Sequence, residues 1–480
     1  MNRLLFFLFL FAGPVYAQDY VATYKQIIDE VDHHYEGYYN LRHITSTIGH
    51  RLTGSENGRK AEQYVYDLIK SYGVEVEFQP FDARGWNRGP LRVEIKTNTK
   101  DFRPVKAVSL AHAPVSSDVE ASVVDLGNGL EEDYIKDGNS IKGKVALVYL
   151  GVLPGSPAGT GSLHRSEKTA IAYKYGATGI IFINQVKGNV LLTGTASIDG
   201  ELIKIPAICI GLEDGMKWKE ELKKGAKGAV RIHMKNEAGM IQARNIIATF
   251  RGAKFPDEKI IVGGHLDSWD LATGAIDNGI GSFAVLDMIR TFAKLQLKTE
   301  RTVQFVLFMG EEQGLLGSKA FVDNLMKKQE LEKVGYMINY DMTNAPTGFF
   351  SSRSEVKELF AKWGEWYAKA DPTFKNVFVS GAWLHSDHQP FLLKGIPYAG
   401  GAGDKLPNNA GLYYHSDGDV FSLVSEDGMK QTTKNGLVLA YSLANEDELP
   451  VKILSGEELK NYLKEHQLET PLRISGDWNW

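Results

Sequence analysis

The sequence predicts an α/β fold: a mixed, largely parallel central sheet flanked by helices, with a second, β-rich domain inserted into it. Three observations carry that prediction. The chain has 480 residues, more than one average domain holds. Apolar runs without alternation, at 259–262, 302–309 and 336–340, read as strands covered on both faces, the habit of parallel sheets between helices. From about residue 90 to 237 the texture changes to short strand-like pieces separated by glycine-rich turns.

Residues 1–17 read as a secretory leader. Arg3 is the positive flank, 4–12 is an apolar core too short to span a bilayer, and Pro14 breaks the helix. Val15-Tyr16-Ala17 offers small residues for cleavage near Ala17, which predicts a secreted or periplasmic chain that is not held in a membrane afterwards. Residues 19–48 read as helical. A second helix covers 58–72, with Ala61, Tyr64, Val65, Leu68 and Ile69 as its apolar stripe and Gly73 as its stop. Residues 74–81 alternate like a strand.

In the insert, strands are predicted at 91–96, 121–125 and 144–149. One helix, 165–175, leads through Gly176 into a buried-type strand at 179–183. From Asn245 strand and helix alternate. A strand at 259–262 leads to His265, a helix covers 279–297, a strand at 302–309 leads to Glu311, and a strand at 336–340 leads to Asp341. A charged helix at 455–467 and the aromatic ending Asp477-Trp478-Asn479-Trp480 follow, the latter able to dock on the body. The boundaries are thus 1–17 for the leader, 18–89 and 238–455 for the main domain, 90–237 for the insert and 456–480 for the tail.

The formal net charge is -5, with no basic excess to suggest nucleic acid as a partner. Cys209 is the sole cysteine, so no intramolecular disulfide exists; it sits in the apolar run 205–210 and reads as a small core residue.

Five short stretches carry the chemistry: Gly264-His265-Leu266-Asp267, Ala275-Ile276-Asp277-Asn278-Gly279, Gly310-Glu311-Glu312, Asn339-Tyr340-Asp341 and Tyr414-His415-Ser416. Three follow apolar runs, and in open α/β sheets the active site lies beyond the carboxyl ends of the strands. Two divalent ions about 3.5–4 Å apart can activate water and polarise a carbonyl. On an extended segment His265 and Asp267 point the same way, so the imidazole can bind metal while the carboxylate fixes its tautomer. Asp277, where a loop opens a helix, suits a bridging carboxylate. Of Glu311 and Glu312, one can bind metal and the other take a proton from water. Asp341 and His415 complete the ligand sets. Ser386-Asp387-His388 offers the residue types of a serine triad, but adjacent residues rarely converge that way, so a substrate-pocket or supporting role fits better. Trp269, Asp270, Asp387, His388, Tyr413 and Arg353 are the candidates for the substrate pocket.

The stretches Gly264–Asp270, Gly274–Gly279 and Glu311–Gly314, together with Arg51–Asn57, Ile205–Ile210 and His415–Asp419, resemble the co-catalytic di-zinc metallopeptidases of the bacterial leucyl aminopeptidase and glutamate carboxypeptidase type. The resemblance runs from about residue 24 to 447. It implies a secreted exopeptidase acting on short peptides, a protease-associated insert, two zinc ions per chain and a possible homodimer. It implies that Asp277 bridges the ions, that His265 and Asp341 complete one site, and that Glu312 and His415 complete the other. Glu311 becomes the general base and Asp267 the residue that orients His265. Carboxylate and imidazole ligands also suit manganese or cobalt. Two features depart from the pattern. Asn278 stands where a second acid is common, and Ser386–His388 looks more like the aminopeptidase branch than the carboxypeptidase one. The rival readings are a one-zinc glutaminyl cyclase on the same fold and a catalytically inactive receptor-like binding protein.

Overall fold

The computed structural model describes residues 13–98, 101–138, 140–403 and 405–480. The expected leader falls outside them over residues 1–12. Residues 13–17 open a helix with Pro14 in its first turn.

The chain enters through helices α1 (Gly13–His34), α2 (Gly37–Thr47) and α3 (Glu56–Ser71) and strand β1 (Glu75–Asn87). The single helix predicted over 19–48 is therefore two. Between them the Glu36 amide turns out of the helix and donates to Asp287 Oδ1 at 3.0 Å, a tertiary bond that outweighs helix continuity. Ser55 caps α3 by accepting from the Gly58 amide.

The chain then leaves for a second sheet. Its strands are β2 (Leu91–Thr97), β3 (Arg103–Pro104), β4 (Ala107–Ser109), β5 (Ser116–Asp125), β6 (Val145–Tyr149), β7 (Gly179–Ile183), β8 (Ala207–Ile210) and β9 (Gly228–Lys235). Helices α4 (Glu131–Asp137), α5 (Arg165–Lys174) and α6 (Leu212–Lys223) lie between them. Strands β5, β6, β7 and β8 run parallel, and parallel neighbours need crossover connections, which is why α4 accompanies α5, the one helix read from the sequence; α6 carries the chain from β8 back to β9, which lies antiparallel to β5. The insert has its own apolar interior on both faces of that sheet, with Trp218 on one side and Tyr134 on the other. Cys209 is buried there in β8 as a free thiol, and burial pushes it up to about 12.

The chain returns through β10 (Glu237–Phe250), β11 (Phe255–His265), α7 (Ile280–Leu295), β12 (Arg301–Phe308), α8 (Leu316–Lys327), β13 (Val334–Asn339), β14 (Gly348–Ser351), α9 (Lys357–Ala370), β15 (Val377–Ser380), α10 (Gln389–Leu392), β16 (Tyr398–Ala402) and α11 (Glu426–Asn445). The main sheet has the order β1-β10-β12-β11-β13-β16-β14-β15. Its middle, β12-β11-β13-β16, is parallel; β1, β10 and β14 make the antiparallel pairings. β1 and β10 pair from Glu75↔Thr249 to Asn87↔Glu237. The insert therefore leaves and returns at the tip of one long hairpin, which lets it interrupt the sequence without breaking the sheet.

Helices α1, α2, α3, α7, α9 and α11 cover one face of the main sheet, while α8, α10 and the tail cover the other. Within the first layer α1 is seated on α11: the hydroxyl oxygens of Tyr24 and Ser442 lie 2.5 Å apart, and Tyr20 donates to the Asn445 carbonyl. The tail holds α12 (Gly456–Glu465) and α13 (Glu469–Ser475). Leu459, Leu463 and Leu472 join the second core, and Trp478 and Trp480 pack against it, so the aromatic ending docks on the body. Among the described residues no helix is long and apolar enough to cross a membrane.

Beneath α1 and α7 lies a buried ionic cluster. Arg290 donates to Asp287 Oδ1 at 2.7 Å and to Glu30 Oε1 at 2.6 Å, with all three side chains buried. Removing one member of such a cluster strands the others without a partner, at a cost of about 3–5 kcal/mol. Arg290→Leu should lose about that much in urea unfolding, and Arg290→Leu with Asp287→Leu should recover part of it.

Candidate metal centre

The carboxyl ends of the parallel strands converge. β11 ends at His265, β12 is followed by Glu311 and Glu312, and β13 by Asp341. Asp277 lies in the turn before α7, and His415 on the irregular strap before α11. Two groups of three result, sharing Asp277: His265, Asp277 and Asp341, and Asp277, Glu312 and His415, the candidate ligand atoms of each lying within 4.8 Å of one another. His265 Nε2 is 3.3 Å from Asp277 Oδ1 and 3.4 Å from Asp341 Oδ1. His415 Nε2 is 3.1 Å from Asp277 Oδ2 and 2.9 Å from Glu312 Oε2.

Buried polar atoms are nearly always hydrogen-bonded, so exceptions need a cause. Here His265 Nε2, Asp277 Oδ2, Glu312 Oε1 and Asp341 Oδ1 are all buried and make no hydrogen bond. They belong to both groups of three and converge on the same pocket. Atoms of this kind fit a pair of divalent cations that accept their lone pairs.

The surroundings fix the cluster. His265 Nδ1 lies 3.1 Å from the Asp267 carbonyl oxygen and 3.6 Å from its carboxylate. Both acceptors of Asp267 thus face the imidazole, and its carboxylate also accepts from the Glu311 amide at 3.2 Å. Ser386 donates to Asp341 Oδ2 at 2.7 Å and accepts from Asn339. Asn278, the departure from the family pattern, has its own work. Its amide donates to the Tyr340 carbonyl, and its oxygen accepts from the amides of Gly281 and Met342, tying the turn of Asp277 to the strand end of Asp341. Burial, with Asp341 and Glu312 close by, pushes the Glu311 carboxyl well above the ordinary range.

The other predicted residues divide. Trp269 sets its ring edge-on to His415 at 6.0 Å. Asp387 is fully buried, and burial pushes it up to about 7. His388 stacks on Tyr398 at 4.0 Å and, with Asp341, Asn339 and Trp383, lines a cavity of about 250 Å³. Tyr413 accepts from Ser416 beside His415. Asp270 is taken by a two-pronged ion pair with Arg88, at 2.9 Å on each oxygen, and is not free for a substrate. Arg353 turns away: it pairs with Glu355, donates to the Lys452 carbonyl, and lines a separate cavity beside α12. The structure does not bring it to the cluster.

Sequence reasoning passed over four residues here. Arg51 and Asp419 grip the turn of Asp277 from two sides. From the insert, Arg165 places Nη2 at 3.0 Å from His415 Nδ1, and the Thr193 amide donates to the His415 carbonyl at 2.8 Å. Arg165 passes over Gly194, where a Cβ would lie 1.9 Å from Nη2. Arg51 and Asp419 stood inside the stretches that carried the resemblance; Arg165 and Thr193 lay in the insert, far from any ligand motif.

Residues 245–440 match the model of peptidase family M28, and 119–218 match the PA domain. The chain carries a peptidase family M28 domain, with a PA domain ahead of it. It is 24% identical to carboxypeptidase Q of Xenopus laevis over 90% of this chain and 91% of that protein. It is 25% identical to aminopeptidase YwaD of Bacillus subtilis over 87% of this chain and 86% of the relative. Among solved structures it shares the fold of a peptidase M28 precursor from Shewanella amazonensis, with TM-score 0.76, 22% identity and coverage of 92% and 99%. It shares the fold also of BSAP, a zinc aminopeptidase from Bacillus subtilis, with TM-score 0.66, 22% identity and coverage of 88% and 97%.

Zinc titrated into metal-free protein should raise its melting temperature. Ligand at about a hundred times its dissociation constant stabilises a fold by roughly 2.7 kcal/mol, and chelation should reverse the gain. Asp277→Ala, which removes the shared carboxylate, should abolish the second equivalent of bound zinc in elemental analysis.

Proposed function

We propose that this protein is a two-metal exopeptidase that hydrolyses short peptides with Glu311 as general base. The observation that carries the reading is the sharing of Asp277 between two complete groups of three, each with buried, unpartnered ligand atoms. His265 and Asp341 would hold one ion, Glu312 and His415 the other, and Asp277 both. Zinc is the preferred ion, since a solved neighbour of the same fold is named a zinc aminopeptidase. A divalent pair held there would supply an activated water and polarise the scissile carbonyl.

The chain's own groups do the rest. Glu311 takes the proton of the attacking water and returns it to the leaving amine. Its backbone is held by Asp267, and its proximity to Asp341 and Glu312 raises its proton affinity in the metal-free site. Nearby bound cations would draw that affinity back down toward neutral working pH. The cavity between Asp341, Trp383 and His388 shares Asp341 with one group of three and is the proposed seat of a substrate side chain. A one-zinc cyclase has no use for the second group of three, and an inactive receptor has no use for either.

The relatives are named as a carboxypeptidase and as an aminopeptidase, so the end of the substrate that is clamped is decided by assay. Free, N-blocked and C-amidated dipeptides separate the cases. Loss with the N-block alone means an aminopeptidase, loss with amidation alone a carboxypeptidase, and loss with both a dipeptidase. Glu311→Gln should keep its metal and lose about 10²–10⁴-fold in kcat. Full turnover in that variant would remove Glu311 from the mechanism.

A further inference from the structure

We propose that Arg51 and Asp419 are positioning residues that together fix the separation of the two ions; the inference rests on the two-metal reading above. The turn 273–277 carries the shared ligand and has little regular structure of its own. Gly274 is left-handed (φ 57°), and Asp277 and Asn278 have non-helical backbones. Two buried side chains from opposite ends of the sequence hold it.

Arg51 is fully buried and uses each of its guanidinium nitrogens on a different carbonyl: Nε on Leu266 at 2.5 Å, Nη1 on Thr273 at 2.7 Å and Nη2 on Gly274 at 2.8 Å. Its own amide donates to Ser268 Oγ at 3.0 Å. Leu266 lies between His265 and Asp267. Arg51 therefore ties the end of β11, which presents His265, to the turn that presents Asp277.

Asp419 does the same from the other side. Its Oδ1 accepts from the Ile276 amide at 2.7 Å and its Oδ2 from the Asp277 amide at 3.0 Å. Its carbonyl accepts from the Thr273 amide at 3.2 Å. Asp419 stands four residues beyond His415 on the same strap, and its amide donates back to Ser416. It therefore ties the segment that presents His415 to the same turn. Ligands of both ions are thus referred to one short stretch of backbone through two side chains that touch neither ion.

The chemistry of the clamp is specific. A planar guanidinium reaches three carbonyls at once, which a lysine ammonium on a flexible stem does poorly. Both carboxylate oxygens face N–H donors, so an amide in their place turns an NH₂ toward one of them. Charge adds to geometry. None of the guanidinium's hydrogen-bond partners is an anion, so its positive charge is left to act on the acids around it, Asp419 and Asp277 among them.

The test uses the full-length protein and its Asp419→Asn and Arg51→Lys variants, titrated with zinc against a competing chelator and separately loaded with cobalt(II). Partners that orient metal ligands are worth about 10–100-fold in metal affinity or activity. Each variant should bind its weaker zinc at least about tenfold less tightly. Each should show an altered cobalt visible spectrum and, at saturating zinc, a lower kcat with little change in KM. Asp419→Glu, which keeps both acceptors, should recover part of the affinity where Asp419→Asn does not. Variants that melt at lower temperature yet bind both ions with wild-type affinity and spectrum would overturn the proposal, because a purely structural role predicts that pattern. Should Asp419→Asn fail to fold, the zinc affinity and cobalt spectrum of Arg51→Lys decide the matter in the same way. A wild-type protein that binds no ion pair would sink the two-metal reading and this inference with it.

Discussion

Carboxylates buried side by side repel one another, and the cost grows as water is excluded. The ends of β11, β12 and β13, with the turn before α7, nevertheless gather Asp267, Asp277, Glu311, Glu312 and Asp341 around two imidazoles in a largely buried pocket. That crowding constrains everything near it. It demands positive charge from outside the protein, and it demands backbone anchors stiff enough to hold the acids together before that charge arrives. Parallel strands meet the second demand well, since they end in register and their neighbours cannot slide without losing a ladder of hydrogen bonds.

The less regular ligands needed other means. Asp277 and His415 come from a turn and a strap that no ladder holds. Here the chain uses side chain to backbone bonds from Asn278, Asp419 and Arg51, and it recruits the insert. Thr193 and Arg165 touch His415 directly, and Arg88 from the root of the insert pairs with Asp270. The PA domain is therefore part of the wall of the centre, so the insert and the main sheet depend on one another at this point.

Much of this was legible in the sequence because strand ends coincide with ligand types. The unbroken apolar runs marked β11, β12 and β13, and just past each run stood His265, Glu311 or Asp341. What stayed hidden was set by tertiary contact. Nothing local announces that the Asp267 carboxylate also accepts from the Glu311 amide. The break between α1 and α2 is made by Asp287, some 250 residues away, and α6 was lost in a segment read for strands. Arg353, a pocket candidate in the sequence, turns to the tail, while Arg165, which does reach the centre, has no motif to mark it.

The seating of α1 on α11 bears on how the molecule is made. Among the described residues, the first helix completes its seat after the last long helix has been synthesised, because Tyr20 and Tyr24 meet their partners at Asn445 and Ser442. Domains tend to fold as units during synthesis. The PA insert, whose strands are complete by Lys235, can close while the main sheet still waits for its final layer. The order of birth along the chain and the order of closure in space run differently, with the interrupted domain finishing after the one that interrupts it.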